Sequence, residues 1–199
     1  MKACVLALEW SSRTVSVGLQ CADHAAEERA DFMERFHAPA AMALILRTLT
    51  ELECPAAEIT EIRVGRGPGN FSGIRSAFAW ATGLTASGGV RLTAISSGRA
   101  LMRRLCREES RPFALLGDAR RGFWWGAVCD PANPGAGEWQ LLSPEEWISK
   151  CSGMRVYSAE AERLKGLDQV LQIWPSAVDL LEWSGETEEA APLYFHPPV

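Results

Sequence analysis

The chain reads Gly67-Pro68-Gly69-Asn70-Phe71-Ser72-Gly73 between a short apolar run and a helical pattern. Glycine allows positive φ and close backbone approach, and the backbone N–H groups that open a helix can bind an anion. The stretch therefore predicts a tight turn feeding a helix, with a phosphate cradle as the second interpretation. The turn is favoured, because Ile74-Arg75 follows Gly73 where a P-loop requires lysine and a hydroxyl residue. The dinucleotide fingerprint fails too, since its last glycine position holds Asn70 or Ser72.

Periodic patterns on both sides of this turn predict an α/β fold. Apolar runs and period-two alternation predict strands, and apolar residues at helical spacing predict helices. The predicted strands are Ala3–Leu8, Thr14–Cys21, His24–Asp31, Glu61–Arg66, Arg91–Ile95, Pro112–Leu116 and Phe123–Cys129. The predicted helices are Pro39–Leu52, Phe71–Ala86, Ser96–Arg107, Ser158–Gly166 and Pro175–Trp183.

Two of these helices, Pro39–Leu52 and Phe71–Ala86, have apolar arcs wider than one sheet-facing stripe requires. A soluble helix that is apolar on two sides is usually buried from two directions. The pattern leaves two interpretations open, a second internal packing surface or a subunit interface.

Composition bounds the class of protein. The 199 residues are 47% hydrophobic, which suffices for one compact domain or two small lobes. The net charge is −5 and the isoelectric point is near 5.3. Proteins that bind nucleic acid directly usually carry a basic face, so we read the isolated pair Arg120-Arg121 as solvated surface charge.

The metal-ligating residue types form no recognisable pattern in the sequence. Six cysteines are scattered without a C-x-x-C pair, and His24, His37 and His196 show no i,i+3 or i,i+4 spacing. The N-terminal apolar run is too short for a signal peptide. We therefore expect a cytoplasmic protein with reduced thiols, no bound metal and no cofactor.

Catalytic candidates are few. No G-x-S-x-G elbow is present, and the two most suggestive acids are Glu9, which ends the first strand, and Asp118. The favoured interpretation of Asp118 is a turn residue or an ion-pair partner of Arg120 or Arg121. The sequence thus predicts no catalytic set.

Four segments taken together resemble one family. Val64-Gly65-Arg66-Gly67-Pro68-Gly69-Asn70-Phe71-Ser72-Gly73-Ile74-Arg75 resembles the Gly-Pro-Gly-Ser-Phe-Thr-Gly-Leu-Arg stretch of TsaB (YeaZ) proteins. Supporting resemblances are Ala7-Leu8-Glu9-Trp10-Ser11-Ser12, Asp118-Ala119-Arg120-Arg121-Gly122 and Pro192-Leu193-Tyr194. The chain departs from the family at its first turn, where Glu9-Trp10 replaces Asp and a small hydroxyl residue. That departure argues against a nucleotide contact at the first turn.

The resemblance implies an actin-like ASKHA (ribonuclease H-like) fold, with a full N-terminal lobe over 1–107 and a reduced C-terminal lobe over 108–199. It also implies a non-catalytic partner of TsaD, the subunit that threonylcarbamoylates the adenosine 3′ of the anticodon in tRNA. The ATPase TsaE joins that complex, and tRNA is contacted indirectly. The alternative is an enzyme in its own right, either an ASKHA-type nucleotide-dependent transferase or a glycoprotease-like peptidase. An interaction module with a separate role is a third hypothesis.

In this family the first two long helices dock on TsaD or on a second TsaB copy. Carried over to this chain, the resemblance favours the interface interpretation of the two wide apolar arcs. The residues expected at the interface are Leu44, Thr48, Phe71, Ile74, Arg75, Ala77, Phe78, Trp80 and Leu84. The residues expected to form the structural turn are Gly67, Pro68, Gly69 and Gly73.

Overall fold

Two five-stranded mixed sheets organise the chain. The computed structural model describes residues 3–22, 25–86, 88–134, 137–187 and 189–195. Unit 1 comprises the described residues of Met1–Ala100 and Pro175–Leu193, and unit 2 those of Leu101–Trp174 and Tyr194–Val199. This division differs from the expected boundary after residue 107, because the apolar side chains Leu101, Met102 and Leu105 belong to the unit 2 core and the segment 175–193 returns to unit 1.

The sheet of unit 1 has the strand order β3-β2-β1-β4-β5. Strands β1, β2 and β3 form an antiparallel meander, whereas β4 and β5 run parallel to β1. The near-continuous apolar run of β1 is explained by burial on both of its faces. The bounds are β1 Cys4–Glu9, β2 Thr14–Cys21, β3 Glu27–Phe32, β4 Ile59–Gly65 and β5 Arg91–Ile95.

Helices cover both faces of this sheet. On one face lie α1 (Ala38–Glu51) and α2 (Phe71–Thr85), whose apolar side chains join β1, β2 and β4 in one core cluster. On the other face lies α5 (Ala177–Leu181), which packs on β1, β2 and β4. Both wide-arc helices were therefore predicted correctly as elements.

The sheet of unit 2 repeats that topology with different residues. Its order is β10-β9-β6-β7-β8, in which β6, β7 and β8 form the meander and β9 and β10 run parallel to β6. Numbered within the unit, both sheets have the order 3-2-1-4-5. The bounds are β6 Phe113–Arg120, β7 Phe123–Cys129, β8 Gln140–Leu142, β9 Arg155–Ser158 and β10 Val170–Gln172.

The C-terminal lobe is reduced in its helices, whereas its sheet has five strands like that of unit 1. Helix α3 (Ser97–Glu108) packs on one face of the unit 2 sheet, and α4 (Pro144–Lys150) packs on the other. The helix expected over Ser158–Gly166 is wrong, because this segment finishes β9 and forms only a 3-10 turn at Ala161–Arg163.

The expectation of reduced thiols is also wrong for one pair of cysteines. Cys4 begins β1 and Cys21 ends β2, so the antiparallel register sets them directly opposite each other and a disulfide joins them. Spacing along the sequence could not show this, because the pairing depends on the strand register.

Candidate functional site: a closed glycine turn and an exposed helical face

The glycine turn packs against the loop that follows β1. Gly67 and Gly69 have φ values of 95° and 153°, which favour glycine. A Cβ on Gly69 would lie 2.0 Å from the carbonyl oxygen of Ser11, and one on Gly73 would lie 2.0 Å from that of Trp10. The glycines thus let the start of α2 approach the backbone of the first turn.

The N–H groups of this turn are largely used within the chain. Asn70 N–H donates to the Ser11 carbonyl at 2.6 Å, and Gly67 N–H donates to Ser97 Oγ at 3.1 Å. The Asn70 side chain caps α2 by accepting from the N–H groups of Ser72 and Gly73. An anion at this helix end would have to displace that cap, so the geometry argues against a phosphate cradle.

Glu9 is completely buried at the end of β1. Its Oε1 accepts a hydrogen bond from Ser11 N–H at 2.8 Å. Its Oε2 lies next to Gly65, close to the Ser97 hydroxyl, without a hydrogen bond of normal geometry. Burial raises the pKa of Glu9 to about 7, and contacts with Ser11 and Ser97 lower it by less. The carboxyl is consequently shielded from solvent at the position where the family has its aspartate.

The other candidate acid, Asp118, is engaged at the β6–β7 hairpin. It accepts from the backbone N–H of Arg120 at 2.8 Å and from the Arg120 guanidinium at 2.6 Å. The Arg163 guanidinium lies 3.3 Å away. The interpretation as a turn residue and ion-pair partner is confirmed for Arg120.

Both long helices bury residues that were expected at the interface. Five residues expected at an interface contribute to the core of unit 1 instead: Leu44, Thr48, Ile74, Ala77 and Phe78. Thr48 is buried without an unpaired hydroxyl because its Oγ1 donates to the Leu44 carbonyl at 2.8 Å. Trp80 is half-buried against the same core, whereas Phe71, Arg75 and Leu84 are exposed.

The exposed side chains of α1 and α2 form what we call the α1–α2 face. Its apolar members are Met42 (47% exposed), Leu46 (67%), Phe71 (40%) and Leu84 (42%), and its small members are Ala43, Ala79, Thr82 and Gly83. Helical spacing groups Met42 and Leu46 with Ile45 on one apolar stripe, yet only Ile45 is buried. The charged residues Arg47 and Glu51, near Leu46, could have indicated the solvent-facing side of α1, because charged residues are rarely buried.

The charges bordering this face are paired. Arg47 contacts Asp31 at 2.8 Å, and Glu51 contacts Arg29 at 2.7 Å, so both helical charges are drawn towards β3. The one charged residue of α2 is Arg75, whose guanidinium lies 4.9 Å from the centre of the Phe71 ring. The face is therefore mainly apolar and small in character.

Among the described residues, the only group of three metal-ligating side chains comprises Cys4, Cys21 and Cys54, whose sulfur atoms lie within 4.8 Å of one another. Two of these sulfurs are joined in the disulfide. His37 precedes α1, and His24 and His196 lie outside the described residues.

Within the described part of the chain, no helix is both long and apolar enough to cross a membrane.

Comparisons with known proteins agree with this geometry. Residues 31–127 match the family model described as TsaD: tRNA N6-adenosine threonylcarbamoyltransferase. A Pseudomonas aeruginosa structure described as an uncharacterized protein with similarity to peptidase YEAZ has a TM-score of 0.77 at 25% identity, covering 98% of this chain and 100% of that one. YeaZ from Pseudomonas aeruginosa also has a TM-score of 0.77, at 23% identity over 97% and 100% of the two chains. No curated protein matches the chain.

The repeated 3-2-1-4-5 sheets define an actin-like α/β protein of the ASKHA type. Within that class, the glycine turn and these matches show that the chain is similar to TsaB (YeaZ) proteins. The family model that matches residues 31–127 is that of a tRNA-modifying enzyme.

Proposed function

We propose that this chain is a non-catalytic subunit that binds a TsaD-type catalytic subunit through the α1–α2 face. In that role it supports threonylcarbamoylation of the adenosine 3′ of the anticodon in tRNA. The observation that carries the proposal is the exposure of Met42, Leu46, Phe71 and Leu84 on two helices that pack on the same core and carry few charges. Exposed apolar groups that cluster, rather than lie scattered, mark interaction surfaces.

The partner implied by this surface presents helices of its own. Small residues on the exposed side of α2, including Ala79 and Gly83, let a second helix approach closely, and large apolar residues flank them. A TsaD-type subunit with an equivalent helix pair fits this surface, and a second copy of this chain would compete for it. A TsaE-type ATPase and tRNA would then be reached through the complex, which we place in the cytoplasm.

Two features support a role without chemistry of its own. The cap on α2 uses the N–H groups that a phosphate would need, and Glu9 is shut away from solvent beneath the first turn. The net charge of −5 also favours a partner that supplies most of the tRNA contact.

Depletion of the chain in its own cells tests this function. The proposal predicts that threonylcarbamoyladenosine in tRNA, quantified by mass spectrometry, falls at least about tenfold, because the catalytic subunit loses its partner. Re-expression of the wild-type chain should restore the nucleoside. Leu46→Glu, which places a charge on the α1–α2 face, should not restore it. The matched control is Phe123→Glu, at an exposed aromatic residue of unit 2, which should restore it. Normal nucleoside levels after depletion would refute the proposal.

The enzyme hypothesis is separated by calorimetry of the isolated chain with ATP and magnesium. We expect no measurable heat of binding, because the donors at the glycine turn are already engaged. Tight binding would refute the scaffold proposal and favour the hypothesis of a nucleotide-dependent enzyme.

A further inference from the structure

Two free cysteines of unit 2 hold their sulfur atoms unusually close together. Cys106 lies in α3 and Cys129 ends β7, and their Sγ atoms are 3.1 Å apart. A disulfide bond is about 2.05 Å long, so a movement of roughly 1 Å would bring the two sulfurs to bonding distance. Side-chain rotation or a small shift of α3 can supply such a movement.

We propose that Cys106 and Cys129 form a disulfide on oxidation, making this pair an oxidative modification site of unit 2. The oxidant class is a peroxide. The pair is separate from the Cys4–Cys21 disulfide and plays no part in the α1–α2 face.

The repeated topology gives independent support. Cys21 ends the second strand of unit 1, opposite Cys4, the first residue of the first strand. Cys129 ends the second strand of unit 2, opposite Phe113, which holds the corresponding place. Each of these strand ends therefore carries a cysteine with a second sulfur beside it, although the second sulfur comes from β1 in one unit and from α3 in the other.

The solvent exposure of the two thiols determines which of them reacts first. Cys106 is partly exposed, whereas Cys129 is fully buried. Burial raises the pKa of Cys129 to about 12, with Cys106 contributing to the rise. The thiolate is the reactive form, so Cys106 is the thiol that meets the oxidant.

The reaction then balances in two steps. The sulfur of Cys106 attacks the peroxide O–O bond and becomes a sulfenic acid, and one water leaves with the second peroxide oxygen. The Cys129 sulfur next attacks the sulfur of this sulfenic acid, the S–O bond breaks, and a second water carries away the oxygen with the thiol proton. Two thiols are oxidised to one disulfide, and one peroxide is reduced to two waters.

The product would tie α3 to the end of β7 within unit 2. Closing the chain between Cys106 and Cys129 restricts the unfolded state, as disulfides generally do. We expect the midpoint of thermal unfolding to rise by on the order of 5 °C on oxidation.

The test uses the full chain, first fully reduced and then treated with two equivalents of hydrogen peroxide, one for the Cys4–Cys21 pair and one for Cys106 and Cys129. The sample is quenched in acid, denatured and alkylated, so burial alone protects no thiol. We expect Cys106 and Cys129 to resist alkylation and to appear as a linked peptide pair in the mass spectrum, whereas Cys151 should be alkylated. Alkylation of both Cys106 and Cys129 after treatment would overturn the proposal, and so would a stable sulfinic acid at Cys106.

Three variants check the assignment of roles. Cys129→Ser should leave a sulfenic acid at Cys106 that dimedone traps, and Cys106→Ser should leave Cys129 unoxidised. Cys151→Ser, at a buried thiol in another core cluster of unit 2, should form the linked peptide as the wild type does. Linkage of Cys129 to any cysteine other than Cys106 would contradict the proposal even if a variant failed to fold, because that result is read on the wild-type chain.

Discussion

Unit 1 and unit 2 have the same sheet but differ in what connects their strands. Between its third and fourth strands unit 1 has the 14-residue α1, where unit 2 has the 7-residue α4. Between its fourth and fifth strands unit 1 has the glycine turn and the 15-residue α2, where unit 2 has only the 3-10 turn at Ala161–Arg163. The sheet order sets the fold, whereas the connections set the surface available for binding.

The connections also differ in what they leave exposed. Helices α1 and α2 bury one side in the core and present Met42, Leu46, Phe71 and Leu84 on the other. Helix α4 instead buries its one large aromatic residue, Trp147, completely. The short helix α4 covers a core with its large aromatic residue. The longer helices α1 and α2 cover a core on one side and expose apolar side chains on the other.

The largest effect is expected at Trp147, on which the packing of α4 depends. Trp147 is fully buried, and its Nε1 donates to the Trp124 carbonyl at 3.0 Å. Trp147→Ala should lower the free energy of unfolding by about 4 kcal/mol, because it leaves a cavity and removes the hydrogen bond to the Trp124 carbonyl. Denaturant titration measures this, with Phe123→Ala as an exposed control costing less than about 1 kcal/mol. Equal losses in the two variants would show that α4 is not anchored through Trp147.

The glycine turn of unit 1 provides the next test, with a matched site in the same helix. Gly73→Ala should cost about 3 kcal/mol, because the added Cβ would meet the Trp10 carbonyl. Gly83→Ala should instead gain up to about 1 kcal/mol, because nothing lies within 4 Å of its Cβ and alanine favours the helix. Thermal or chemical unfolding measures the change in stability of both variants. A Gly73→Ala chain as stable as the wild type would contradict the close approach of α2 to the first turn.

The pH dependence of stability tests the burial of Glu9. Because its pKa is raised from 4.5 to about 7, the folded state holds a proton that the unfolded state releases between these values. Its contribution is complete below pH 4.5 and is lost as pH rises through 7. The loss amounts to about 3 kcal/mol. The variant Glu9→Gln should lack this component, so the difference in unfolding free energy between wild type and variant should change by that amount from pH 4.5 to pH 8. A constant difference would mean that Glu9 is ionised in the folded chain.

The sequence predicted the elements around the glycine turn well, because their signals are local. The alternation over Thr14–Cys21 and the helical spacing over Phe71–Ala86 each fix a period, and both elements are confirmed. Strands β8, β9 and β10 were missed because each has only three or four residues, too few to display a period.

The faces of α1 and the sulfur pairs could not be predicted, because they depend on tertiary packing. Thr48 reads as polar, yet its bond to the Leu44 carbonyl lets it enter the core. Leu46 reads as core, yet its neighbours on the helix surface include the charged Arg47. Cys106 and Cys129 are 23 residues apart and meet only when α3 packs on β7. The common strand order of the two units likewise leaves no repeat in the sequence, since the paired strands share a topology and not their residues.

The central claim, that the α1–α2 face binds a TsaD-type subunit, is tested most directly by measuring that affinity with purified proteins. Isothermal titration would compare the wild type with Leu46→Glu, with Gly83→Arg, whose side chain has open space in the monomer, and with Phe123→Glu in unit 2. The account predicts binding by the wild type and Phe123→Glu. It also predicts at least about a tenfold loss of affinity, or about 1.4 kcal/mol, in both α1–α2 variants. Unchanged affinity in Leu46→Glu and Gly83→Arg, with both chains folded, would contradict it.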